Sequence, residues 1–333
     1  MPIELDVYAQ TRQGMLSSLV ADATPLVYVP NSISNTVSVI DPHTFTVVRT
    51  FRAGFEPQHI TPAWDMQTLY VDDTRGNTLI PIDPSTGLPG QPIPVDDPYN
   101  LYFTPDGSKA IVVAERNRSL DIRDPKSWAL LARIPMPCKG ADHGDFTADE
   151  RYFLLSCEYS GTLIKVDMRL LRVDAAMDLG GSPIDVRLSP DGQVMYVANQ
   201  NSKFGGVQLV DPVRMQLIGY IPTGAGAHGE ILSRDGRSLY VTNRLGHTIS
   251  VIDFASRKVT HTWVIPSGSP DMGGVSVDGS QLWVSGRYNR EVYVLDTRSG
   301  AVLERIRVGV GPHGLCLFPQ PGRFSLGHTG NYR

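Results

Sequence analysis

A chain of 333 residues with 41% hydrophobic side chains can bury a large core, and its 32 glycines and 25 prolines suit many short strands joined by tight turns. Thirty basic against 34 acidic residues give a formal charge of −4 and no basic stripe for nucleic acid. No apolar run approaches the roughly 18 residues of a membrane-spanning helix, so neither nucleic acid nor membrane is expected as a partner.

Residues 1–25 precede any repeat. Their opening, MPIELDVYAQTRQGML, carries charged and polar residues where a secretory signal needs an apolar core, which predicts a cytoplasmic protein. From residue 26 a unit recurs, marked by a short strand closing on aspartate: TVSVID to Asp41, TLIPID to Asp83, SLDIRD to Asp124 and TLIKVD to Asp167. The same strand returns as GVQLVD to Asp211, TISVID to Asp253 and EVYVLD to Asp296, at intervals of 41 to 44 residues. Before each lies an apolar run ending on a polar residue or glycine: VYVPN, LYVDD, IVVAE, LLSCE, YVAN, YVTN and LWVSG. Turns such as SPDG (189–192) and SRDG (233–236) come earlier still, and another strand follows each aspartate.

The alternation has period two and no helical period, so each unit reads as four antiparallel strands. Seven such units predict an all-β, seven-bladed β-propeller, which removes free sheet edges by radial repetition. The first unit has only three strands, and HGLCLF (313–318) supplies the fourth, so residues 26–322 close as a single ring through a composite N- and C-terminal blade. Residues 323–333 form a tail outside the repeat. The three cysteines, Cys138, Cys157 and Cys316, are odd in number and irregularly spaced, which argues against a disulfide framework. Cys157 and Cys316 lie in apolar strand patterns and are expected as buried, inert thiols.

YVTN at 240–243 and YVAN at 196–199, each followed by a strand closing on aspartate, resemble the YVTN-type β-propeller repeat family. That family is similar to the haem-carrying propeller of cytochrome nitrite reductases. The resemblance covers roughly residues 26–322; it implies the propeller fold and, as one functional expectation, a haem or other tetrapyrrole.

In a propeller the first strand of each blade lines the central channel and begins at one rim. The residues at those starts are His59, Asn100, His143, Asp185, His228–Gly229, Asp271–Met272 and His313. The four histidines are 84, 85 and 85 residues apart, which is two repeats each time, so they fall on alternate blades around one axis. Neutral imidazoles suit iron, copper, zinc or nickel. Four of them on a rigid ring leave positions open for substrate or dioxygen. His59, His143, His228 and His313 are therefore the expected metal ligands, with iron or copper as the metal. The alternative is a structural role, hydrogen-bonding across the channel mouth.

The second strands end near the same rim, and two of them place Glu115 and Glu158 there. These carboxylates are candidates for a general base or for acceptors of imidazole N–H groups. Asn100, Asp185, Met272 and Arg287 are candidate substrate contacts. Asp142, Asp145 and Glu230 flank the histidines, and His328 in the tail is a further imidazole within reach. The chain has no G-x-S-x-G elbow, Walker loop, H-E-x-x-H or C-x-x-C-H. The first functional expectation is thus a metal-dependent oxidoreductase acting on a small organic substrate at the channel mouth. Alternatives are a haem- or tetrapyrrole-binding propeller, a non-catalytic protein-interaction module, and a metal-assisted lyase or lactonase.

Overall fold

The computed structural model describes residues 5–201, 205–328 and 330–333; the first four residues of the N-terminal extension, and Thr329 of the tail, lie outside them. Each repeat forms one antiparallel sheet, giving seven blades in a ring. The reason lies in two local devices. Every repeat-closing aspartate turns its carboxylate onto backbone N–H groups two or three residues on. Examples are His43 N to Asp41 at 2.8 Å, Val213 N to Asp211 at 2.9 Å and Ser256 N to Asp253 at 2.7 Å. This side-chain turn replaces the backbone bonds a tight loop cannot make. It also explains the period, since a hairpin of fixed geometry needs aspartate at the same place each time.

The second device is the asparagine of the YVTN-like runs. Asn243 donates to Thr248 and Ser250 at 3.0 Å each, and Asn31 donates to Thr36 at 3.2 Å and Ser38 at 3.1 Å, bracing the hairpin that follows. Asp73 does the same as an acceptor, taking the Thr78 hydroxyl at 2.7 Å.

Blades stack face to face, so inner strands are buried on both sides. Met195–Asn199 and Ala110–Ala114 are buried throughout, whereas the outermost strand of a blade, such as Gln216–Pro222, is mostly exposed. In the second blade prolines split that outer strand into Leu88–Pro89 and Ile93–Pro94, because proline cannot donate to a ladder.

Ring closure follows the expected scheme. Cys316–Phe318 pairs with Leu26–Asn31 in the register Val27 to Leu317, and Thr36–Asp41 and Thr46–Arg52 complete that blade. The strand is shorter than 313–318, with Pro312 and Gly314 making only isolated bridges to Asn31 and His59.

One expectation needs amendment. Cys138 and Cys157 are not free thiols; they form a disulfide, while Cys316 is free and buried. The loop carrying Cys138 returns beside the end of Tyr152–Cys157, bringing the Cα atoms to 6.1 Å, and a cysteine count cannot register such a return. The segments outside the repeat pack against the ring. The N-terminal segment crosses the turn side of the channel, where Val7 N meets Pro190 O at 2.9 Å and the buried Tyr8 reaches inward. The tail adds Ser325–Gly327 and Asn331–Tyr332 to the inner edge of the third blade, beside Asn100–Phe103.

Candidate functional site

His59, His143 and His228 reach the axis because their inner strands are bulged. In five blades two residues of the inner strand face one of the next, at 58–59, 142–143, 184–185, 228–229 and 271–272. A bulge of this kind re-aims side chains, here toward the channel. Small hydroxyls hold the extra residue: Ser156 takes His143 N–H at 3.2 Å, Thr242 takes Gly229 N–H at 2.8 Å and Ser285 takes Met272 N–H at 3.3 Å. Thr242 also donates to Asp271 O of the next blade at 2.6 Å, tying neighbouring bulges together. The threonine of YVTN is thus a bulge clamp. The glycines after the histidines are needed for close approach: a Cβ on Gly314 would fall 2.2 Å from the His59 ring, and one on Gly229 2.5 Å from Asp271 O.

Five imidazoles converge, the four expected and His328 from the tail. One ring nitrogen from each of His59, His143 and His328 lies within 4.8 Å of the others. His143 Nε2 is 3.2 Å from His59 Nε2, and the His143 and His328 rings stack at 4.2 Å. His59 Nδ1 donates to Tyr99 O at 2.8 Å, and Asn100 Nδ2 meets His328 Nδ1 at 3.3 Å.

His228 and His313 lie toward the mouth, their ring centroids 5.9 Å apart, with His313 also 4.7 Å from His59. Their side chains keep 5% exposure each, against none for His143. They share Asp271: His313 Nδ1 donates to one oxygen at 2.6 Å, while His228 Nδ1 lies 3.4 Å from the other without a hydrogen bond. Arg244 Nε donates to Asp271 at 2.8 Å.

Burial dominates the electrostatics. It lowers all five histidines, His313 to about 4, so the rings are neutral; neighbouring imidazoles and arginines add to the effect. Burial alone pushes Asp271 up, but Arg244, His228 and His313 together hold it well below the ordinary aspartate value. On the opposite side of the mouth, burial raises Glu115 to about 7, helped by Asp97 and Glu158. Burial also raises Glu158, against the pull of Arg244, and pushes Asp142 well up, with Glu158 adding repulsion. The rim is therefore acidic on one side and cationic on the other. Glu158 accepts from Gln200 Nε2, and Asp142 lies 3.2 Å from His143 Nε2.

The remaining candidates have structural partners. Arg287 donates to Ser32 Oγ at 3.0 Å and Gly311 O at 3.2 Å; Met272 is buried with its sulfur against Gly229. Asp185 takes the N–H of Val186 at 2.9 Å and of Glu230 at 2.8 Å, and lies 3.8 Å from His143 Nδ1. Deeper in the channel, Asp145 receives Tyr8 OH at 3.1 Å and Arg333 Nη2 at 3.3 Å, so both terminal segments meet on one carboxylate. Sequence reasoning named Met272 in its two-residue slot and passed over Asp271. The usable signal was the bulge, since either residue of such a slot can face the axis.

A sequence profile described as YNCE-like beta-propeller matches residues 6–322. The chain is 28% identical over 266 residues to the seven-bladed beta-propeller protein Rv1057 of Mycobacterium tuberculosis, covering 77% of this chain and 63% of that one. It is 28% identical over 158 residues to protein NirF of Stutzerimonas stutzeri, covering 47% and 36% respectively. This chain thus spans less than two thirds of the length of both curated relatives. Among solved structures, dihydro-heme d1 dehydrogenase NirN in complex with DHE superposes with a TM-score of 0.68 at 15% identity, over 92% of this chain and 77% of that one. At that identity the likeness is one of fold.

Proposed function

Because this chain belongs to the YNCE-like beta-propeller family, we propose that the channel mouth binds a tetrapyrrole, with an imidazole of the histidine cluster facing its metal. The observation that carries this reading is the convergence of five neutral, buried imidazoles at one end of one axis, two of them reaching the mouth. Neutral imidazole is a haem-iron ligand, so the donor set fits the group. NirN, which shares the fold, is described as a dihydro-heme d1 dehydrogenase in complex with DHE, and that supports the ligand class. Bound there, an iron tetrapyrrole would supply one-electron chemistry. The protein's part is to hold ring nitrogens in fixed tautomers, exclude water, and present Arg244 and Arg287 on one side and Glu115 and Glu158 on the other. Haemin titrated into purified protein tests the reading: a 1:1 complex with a shifted Soret band is expected, and free-haemin absorbance throughout overturns it.

A second reading rests on His59, His143 and His328. Two nitrogens bound to one tetrahedral zinc at ~2.0–2.1 Å lie about 3.3 Å apart, close to the 3.2 Å between His143 and His59 Nε2. A bare iron or copper ion there, with Glu115 or Glu158 as base, describes an oxidoreductase for a small organic substrate. Metal analysis of untagged protein, wild type beside His143→Ala, separates the two readings: about one ion per chain, lost in the variant, favours the bare metal. The cytoplasmic location expected from the N-terminal composition remains a proposal as well. The Cys138–Cys157 pair supports an oxidising compartment instead.

A further inference from the structure

The outer imidazole pair has a counter-ion of its own. Asp271 is fully buried; one oxygen accepts from Arg244 Nε at 2.8 Å and the other from His313 Nδ1 at 2.6 Å. An ionised carboxylate only accepts hydrogen bonds, so His313 carries its proton on Nδ1 and Nε2 is the atom left for a ligand. The backbone beneath the ring is fixed by the 3.0 Å bond from His313 N to Pro30 O.

No other imidazole among the described residues combines these features. His59 gives its Nδ1–H to a neutral carbonyl, and its Nε2 faces His143. His143 and His328 are stacked on each other, with no exposure and 1%. His228 is near Asp271 but makes no hydrogen bond to it at Nδ1.

Resting on the tetrapyrrole reading above, we infer that His313 Nε2 is the axial ligand offered to the tetrapyrrole iron, and that Asp271, held by Arg244, is the positioning residue behind it. A carboxylate accepting the Nδ1–H fixes ring orientation and raises the basicity of Nε2 more than a carbonyl does. A more basic axial ligand favours the ferric state and lowers the midpoint potential.

The test compares wild type, His313→Ala and Asp271→Asn, with His261→Ala on an exposed outer strand as a control. Each is titrated with haemin, and its fold is checked by circular dichroism. His313→Ala is expected to lose the histidine-ligated spectrum and regain it with added imidazole. Asp271→Asn is expected to weaken haemin binding roughly 10- to 100-fold and to raise the midpoint potential of the bound iron. His261→Ala should match wild type. If wild type does not bind haemin, the tetrapyrrole reading and this assignment both fall. If wild type binds but His313→Ala keeps its spectrum, or Asp271→Asn leaves affinity and potential unchanged, the assignment alone falls. Should Asp271→Asn not fold, the 15N shifts of His313 in the wild-type protein decide: a ring protonated at Nε2 overturns the proposal.

Discussion

The inner trio of histidines and the outer pair use the same side chain, with His59, His143 and His228 on inner-strand bulges and His313 and His328 on the closing segments of the chain, yet they are held by different means. His59, His143 and His328 meet through an Nε2–Nε2 contact and a ring stack, while His143 Nδ1 and His328 Nε2 are left without a hydrogen bond. His228 and His313 gather around a buried anion that Arg244 neutralises. A repeat can therefore deliver identical side chains to one axis while the neighbours decide their chemistry. Imidazoles packed on one another behave as core, whereas a ring oriented by a carboxylate keeps one nitrogen for other work.

The sharpest way to break this contrast is to remove the cation behind the outer pair. Arg244→Ala leaves Asp271 as an uncompensated buried charge and should cost about 3–5 kcal/mol by denaturant unfolding. A small change would mean that His228 and His313 suffice as partners. On the inner side, Ser156→Ala removes the clamp on the His143 bulge and leaves buried backbone groups unpaired, for a loss of about 1–3 kcal/mol.

Titration separates the regions further. The histidines are depressed in the folded chain, so their contribution is present above the unfolded value near 6.5 and is lost as pH falls toward the folded values, about 4 for His313. Glu115 runs the other way. Its folded value of about 7 lies above the unfolded 4.5, so its contribution is full below 4.5 and is lost as pH rises through 7. In unfolding curves across pH 4 to 8 the two contributions oppose each other where their windows overlap, so Glu115→Gln should steepen the loss of stability on the acid side and change the pH dependence only between about 4.5 and 7. The smallest effect concerns the rim: non-reducing mass spectrometry should find Cys138 linked to Cys157 and Cys316 alkylated only after unfolding.

The ring was legible because its markers are local. Asp41 and its six counterparts cap turns within a few residues of themselves, so the period appears in the sequence without knowledge of tertiary contacts. The alternate-blade histidines followed from the same count. What escaped depends on contacts between distant segments. His328 has no repeat to place it, and it arrives only because the tail pairs with the inner edge at Tyr102. Cys138 meets Cys157 through a loop return. Asp271 shared a slot with Met272, and only the bulge geometry gives the carboxylate to His313.

The composite blade also sets an order of assembly. Leu26–Asn31 is made early in synthesis, but its inner partner Cys316–Phe318 emerges nearly a whole chain later. Until then an apolar strand with an unpaired edge waits on the nascent chain, the kind of surface that recruits stray strands. Closing so distant a contact is slow in entropic terms, and its reward comes only when the last blade is present. A ribosome-stalled chain ending before residue 313 should hold chaperones and resist release, and extending it far enough for residue 318 to emerge should let the ring shut.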